Sequence, residues 1–115
     1  MSEIRFGNPI FHNGINTTFR DGKKWAFRLE PGEKILLAGL RNEPKLTATV
    51  KFLHISQYQD APKRLFELEH DPACGTLQGL RDVMQDLYPG FKDDNIVTVI
   101  GFVPDGEEGY YFKFE

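Results

Sequence analysis

The sequence predicts an α+β fold: a small, curled, antiparallel β-barrel with two or three short helices. Three observations point there. Short apolar segments recur between Gly, Pro and Asn turns, and most of the links are brief. Residues 77–88 instead carry apolar side chains at helical spacing. The longest strand pattern changes phase midway, as a β-bulge does when it lets a sheet curl.

Taken in order, Ile4 and Phe6 suit a first strand, and Pro9-Ile10-Phe11 a turn or short helix closing at Gly14. Residues 15–20 alternate Ile15, Thr17 and Phe19 with Asn16, Thr18 and Arg20, which is strand periodicity. Asn16, Thr18 and Arg20 then share a face. Trp25, Ala26 and Leu29 make one helical turn before Pro31-Gly32. In the strand at 33–40, the apolar run Ile35-Leu36-Leu37 predicts cover on both faces.

Residues 45–55 form the longest strand. Leu46, Ala48, Val50 and Phe52 face one way, then the phase passes to Leu53 and Ile55, which places a bulge at Phe52-Leu53. Asp60 is expected to cap a helix with Pro62 in its first turn and Leu65 and Leu68 inside, ending near His70-Asp71-Pro72. A second helix opens at Gly75-Thr76 and buries Leu77, Leu80, Val83, Met84, Leu87 and Tyr88 until Pro89-Gly90 stops it. Residues 96–103, apolar in both phases, read as a central strand, and 110–114 as a last one. No linker or repeat interrupts the 115 residues, so a single domain over 1–115 is expected.

The net charge of −3 argues against a protein that grips duplex DNA through many phosphates. The charge is uneven: Arg5, Arg20, Lys23, Lys24 and Arg28 gather early, and the acids follow. Such a basic patch suits a small anion, a nucleotide or a short single strand. No run of ~18 apolar residues predicts a membrane helix. The N-terminal residues lack the basic start and apolar run of a secretory signal, so a cytoplasmic location is expected. The lone cysteine, Cys74, permits no internal disulfide.

Residues 13–25 hold the densest set of ligand-binding groups: Asn16, Thr18, Arg20, Lys23, Lys24 and Trp25, bracketed by Gly14 and Gly22. Trp25 reads either as a core residue or as a stacking plane at a cleft mouth. No nucleophile elbow, phosphate loop, dinucleotide fingerprint or zinc spacing occurs, and no metal or cofactor is expected. His12, His54 and His70 are isolated from one another, and Asp71-Pro72 breaks any helical pairing of His70 with Cys74. Glu67, Glu69 and Asp71 fall near a loop overhanging the sheet. A carboxylate there would serve as acid or base, but a solvated helix end is the simpler reading.

The chain resembles the ASCH domain family, which has the PUA-like barrel fold, over most of its length. The family motif runs G-x-K-x-x-T-x-R, followed by an acidic-Gly-basic turn and a P-G-[DE] turn. Thr18-Phe19-Arg20, Asp21-Gly22-Lys23-Lys24 and Pro31-Gly32-Glu33 match its later parts. Asp86-Leu87-Tyr88-Pro89-Gly90 with the strand V-T-V-I-G-F is the more specific block. The motif lysine falls on Ile15 (or, with a slip, Asn16). The glutamate that some members place in the helix before Y-P-G falls on Gly79.

The resemblance implies binding of RNA, single-stranded nucleic acid or a modified nucleoside, with Arg20 on a phosphate or base edge and Thr18 and Asn16 on the base. Lys23 and Lys24 would attract phosphate. The alternative it implies is a small hydrolase, an N4-acetylcytidine amidohydrolase or a ribonuclease. Thr18 would then be catalytic, activated by His12 or Glu69. The missing lysine and glutamate lean against an enzyme, because neither glycine nor a neutral amide moves a proton as a carboxylate does. A protein-interaction module is the third expectation, marked by a wide apolar patch and no cleft at Arg20.

Overall fold

The computed structural model describes residues 1–105, and the expected strand at 110–114 lies outside them. The strands are β1 (Ser2–Phe6), β2 (Asn16–Asp21), β3 (Lys34–Gly39), β4 (Leu46–Gln57) and β5 (Ile96–Pro104). The helices are α1 (Lys24–Arg28), α2 (Lys63–Glu67) and α3 (Leu77–Leu87). They make an α+β fold with one mixed sheet in the order β1-β3-β4-β5-β2.

The expected all-antiparallel pairing is corrected at one edge. β3, β4, β5 and β2 pair antiparallel, but β1 runs parallel to β3. All of β2 and α1 intervenes between β1 and β3. A connection of that length can carry the chain back to the starting end, which a hairpin cannot. The closed barrel is corrected as well. Among the described residues no ladder joins β1 to β2, so the sheet is open there. Its two outer strands still approach one another. Arg20 on β2 donates from Nη2 to the Arg5 carbonyl oxygen on β1 at 2.9 Å, and its guanidinium lies 5.0 Å from the Phe6 ring centroid.

β5 is the buried interior strand that its apolar run predicts, although β4 and not β5 holds the middle of the sheet. Ile100 and Phe102 join one core with Ile4, Phe6, Phe11, Leu37 and Val50. Val97 and Val99 join a second core with Phe19, Tyr58, Phe66, Leu80, Met84 and Phe91. The bulge in β4 falls between Val50 and Phe52, one position before the expected pair. β2 alternates as read at its centre: Phe19 stacks on Phe66 while Thr18 and Arg20 share the other face. Ile15 is the exception. It lies before the strand and is exposed.

α3 starts where the Thr76 hydroxyl accepts the Gly79 amide, a side-chain cap, and Leu80 and Met84 are buried from it. Val83 and Leu87, expected inside, are exposed. Asp60 caps nothing. It ends a 3-10 turn, and Pro62 occupies the N-cap of α2. The inner pair of α2 is Leu65 and Phe66 rather than Leu65 and Leu68, because the helix stops at Glu67 and Leu68 enters a different pairing.

Phe52 pairs across the sheet with Gly101, and its ring covers that glycine. A Cβ added at Gly101 would stand 2.2 Å from the ring. Gly101→Val is therefore expected to cost about 1–3 kcal/mol of unfolding free energy in urea titrations. Combining it with Phe52→Ala should recover part of that loss, a coupling that two independent sites would not show.

Candidate functional site

The site begins with a break in a helix. Asp71-Pro72 cannot continue the helix, and after the turn at Leu68 that ends α2 the chain runs alongside β2 at Glu69. The Thr17 amide donates to the Leu68 carbonyl at 2.8 Å, and the His70 amide donates to the Thr17 carbonyl at 3.0 Å. Thr17 and Glu69 thus form an isolated parallel bridge, which lays the segment along the outer side of β2. The pairing buries Glu69 to 5% exposure. The solvated helix end expected for Glu69 is therefore corrected: backbone pairing with β2, not helix geometry, sets where its side chain goes.

A cavity of about 510 Å³ opens between the β1 end, β2, residues 69–71 and α3. Thr18, Arg20, Glu69 and His70 supply its polar wall, and Phe6, Leu80, Met84 and Tyr88 are among its apolar and aromatic lining. Exposed Leu40 and Leu87 also border it. Arg20 donates from Nε to Thr18 Oγ1 at 3.3 Å. Among the described residues no carboxylate forms an ion pair with Arg20, though burial pulls its pKa down and Tyr88 and Glu69 oppose that. The cavity therefore presents a guanidinium, which stays charged at any physiological pH.

Beside it lies a coupled acid and base. Glu69 Oε1 is 3.1 Å from His70 Nε2, and His70 Nδ1 is 3.0 Å from the Ile10 carbonyl oxygen. Burial holds the Glu69 carboxyl well above the usual carboxylate range, against the Asp71 backbone amide and the Arg20 charge. Burial also pushes the His70 imidazole down to about 4. Burial thus favours the uncharged form of both groups.

The other sequence candidates lie elsewhere. Asn16 is corrected from ligand reader to loop tie. It is fully buried, its Oδ1 accepts the His12 amide, and its Nδ2 donates to the His12 and Gly14 carbonyls. Lys23 and Lys24 are exposed in the turn after β2 and at the start of α1, and neither lines the cavity. Trp25 packs partly against the first core with Arg28 over its ring at 4.8 Å, also away from the cavity. The two ring nitrogens of His12 face the Asn13 and Leu68 carbonyls. Among the described residues neither an imidazole nor a carboxylate hydrogen-bonds to Thr18 Oγ1.

Cys74 lines the cavity, but burial raises its thiol to about 12, which leaves it inert as a nucleophile. Gly79 has no room for a glutamate: a Cβ there would lie 2.5 Å from the Ala73 carbonyl oxygen. The buried acid stands instead at Glu69. Its one sequence signal was a carboxylate beside a helix-breaking Asp-Pro. Among the described residues no cluster of His, Cys, Asp and Glu is placed to hold a metal ion, and no helix is long and apolar enough to cross a membrane.

A mixed five-strand sheet with three helices, and a cavity where its outer strands meet, defines the class. The sequence matches no model of a known protein family and no curated protein. The fold is similar to the crystal structure of an ASCH domain from Lactobacillus crispatus JV V101, with a TM-score of 0.61 at 9% identity. The likeness covers 77% of this chain and 63% of that one. The chain thus has an ASCH-like fold, and at that identity the likeness reaches the fold alone.

Two outcomes test this geometry. The raised Glu69 carboxyl contributes stability that is present at low pH and is lost as pH rises through its folded value, whereas His70, held down to about 4, contributes stability that is present above 6.5 and is lost as pH falls toward 4. In Glu69→Gln the loss on the rising side should vanish while the loss toward pH 4 from His70 remains. Urea titrations of both proteins from pH 4 to 8 check it, and identical pH profiles would contradict the raised buried acid. Asn16→Ala should cost about 1–3 kcal/mol by orphaning its loop partners.

Proposed function

We propose that this chain binds a nucleobase-containing ligand in the cavity beside Arg20: a modified nucleoside, or an unpaired base of RNA or single-stranded nucleic acid. The observation that carries the reading is the Arg20 guanidinium, without a carboxylate partner among the described residues, lining a cavity with Thr18 and apolar walls. About 300–1,000 Å³ is the size range of small-ligand pockets. A base offers flat apolar faces to Phe6, Leu80, Met84 and Tyr88, and a polar edge to Arg20 and Thr18. Lys23 and Lys24 lie outside the cavity, and Trp25 stays with Arg28 against the core. The interaction-module alternative expected no cleft at Arg20, so the cavity weighs against it.

The buried acid keeps a hydrolytic reading open, with Glu69 in place of the glutamate that Gly79 cannot carry. A carboxyl with a raised pKa is suited to proton transfer near neutral pH. Turnover of N4-acetylcytidine that is lost in Glu69→Gln would favour it over binding alone.

Binding of nucleosides, N4-acetylcytidine and short RNA oligomers, followed by calorimetry or NMR shift, tests the lead reading. Arg20→Ala should weaken the binding found by about tenfold or more, or about 1.4 kcal/mol. Unchanged affinity in a folded Arg20→Ala variant would remove the site.

A further inference from the structure

The mouth of the cavity carries a cation that the base subsite does not use. Arg5, on the outer strand β1, borders the cavity, and its side chain is 69% exposed, so it is open to a ligand. Its backbone lies beside Arg20, whose guanidinium donates to the Arg5 carbonyl oxygen at 2.9 Å. The two arginines differ in what holds them. Arg20 is half-buried, tied to that carbonyl and to Thr18, and covers the Phe6 ring. Arg5 reaches into water. Among the described residues only its Nε has a side-chain partner, donating to Glu3 Oε2 at 3.2 Å.

Glu3 does not neutralise Arg5. Its other oxygen, Oε1, lies 2.7 Å from Lys45 Nζ. Hydrogen bonds from Lys45 first, and then from Arg5, hold the Glu3 carboxyl below its ordinary range, so it is ionised at neutral pH. One carboxylate therefore serves two cations, and a positive charge is left over on this edge. Exposed ion pairs of this kind are weak, so Arg5 is readily shared with another anion. Its terminal nitrogens form a planar fork whose N–H groups match two oxygens of a phosphate. The acids bordering the cavity do not compete for that fork. Asp71 accepts from Asn8 Nδ2 and from the Ala73 amide, and Glu69 is buried against His70.

We propose that Arg5 is a phosphate site at the mouth of the cavity, and that the ligand is a nucleotide rather than a free base or nucleoside. The base lies inside, against Arg20, Thr18 and the apolar wall. A phosphate on its ribose stays in water on the Arg5 fork, with Lys45 beside it. This deepens the nucleobase reading and rests on it. It also moves the attraction for phosphate from Lys23 and Lys24, which lie outside the cavity, to a strand that borders it. The same oxygens occur on a free nucleotide, whose monoester carries about −1.5 to −2 charges, and on a strand, whose diester carries about −1.

The experiment has a base-free arm and a nucleotide arm. Inorganic phosphate, added at constant ionic strength with chloride, should shift the NMR signal of the Arg5 Nε–H. Absence of that shift overturns the inference whether or not any nucleoside binds. In the nucleotide arm, uridine and cytidine are compared by calorimetry with their 5′- and 3′-monophosphates and with the dinucleotides UpU and CpC. At low salt at least one phosphate-bearing form should bind the wild type about tenfold or more tighter than its nucleoside, and salt should shrink the margin. A monophosphate as the tightest form identifies a free nucleotide, and a dinucleotide identifies a strand. In Arg5→Gln the margin should fall toward one. In Lys24→Gln, which removes the same charge outside the cavity, it should persist. A margin near one in the wild type, or one that Arg5→Gln leaves intact, overturns the inference while nucleoside binding keeps the base reading standing. Failure of every nucleoside and nucleotide to bind, with the Arg5 shift present, removes the base reading and supports the phosphate site.

Discussion

Two backbone hydrogen bonds between Thr17 and residues 68–70 set the terms for the rest of the site. They attach a three-residue segment to the outer side of β2, where the sheet would otherwise end. Thr17 Oγ1 adds a third tie, donating to the Leu65 carbonyl oxygen at 2.6 Å. Once the segment is held there, Glu69 cannot stay in water, and His70 is pressed edge-on against Phe6 with ring centroids 4.7 Å apart. Both titratable groups therefore lose most of their hydration. Their opposite pKa directions follow from that single fact.

The gap between β1 and β2 gives the cavity its place. A continuous ladder there would have filled the space with backbone. Arg20 crosses it instead, donating to a β1 carbonyl and covering Phe6. A side chain holds two strand edges with fewer hydrogen bonds than a ladder, and it leaves polar atoms available. The same opening exposes apolar residues of α3, including Val83 and Leu87, which an amphipathic helix would normally bury. Binding capacity and incomplete closure have one origin.

Much of the fold was legible because periodicity and turn chemistry are local. β5 is apolar in both phases and is buried inside the sheet. α3 has Thr76 before it and Pro89-Gly90 after it, and it runs between them. Thr18 and Arg20, two residues apart on a strand, had to share a face. The site was less legible. Asn16 looks like a base reader by type, yet its amide is consumed within its own loop. Lys23, Lys24 and Trp25 are near Arg20 in sequence but lie in a turn and a helix that lead away from the cavity. Glu69 looked solvated because nothing beside it in sequence tells that Thr17, far back in the chain, will pair with it.

The sequence alone determined the composition of the elements, the common face of Thr18 and Arg20, and the absence of an acid at Gly79. Tertiary structure alone decided that β1 runs parallel to β3, that the sheet stays open between β1 and β2, and that Glu69 is buried against His70. The physical reason is range. Side-chain alternation, capping and turn preference act over a few residues, so they can be read in order. Burial and the protonation it imposes depend on which distant segments meet, and no local pattern encodes that meeting.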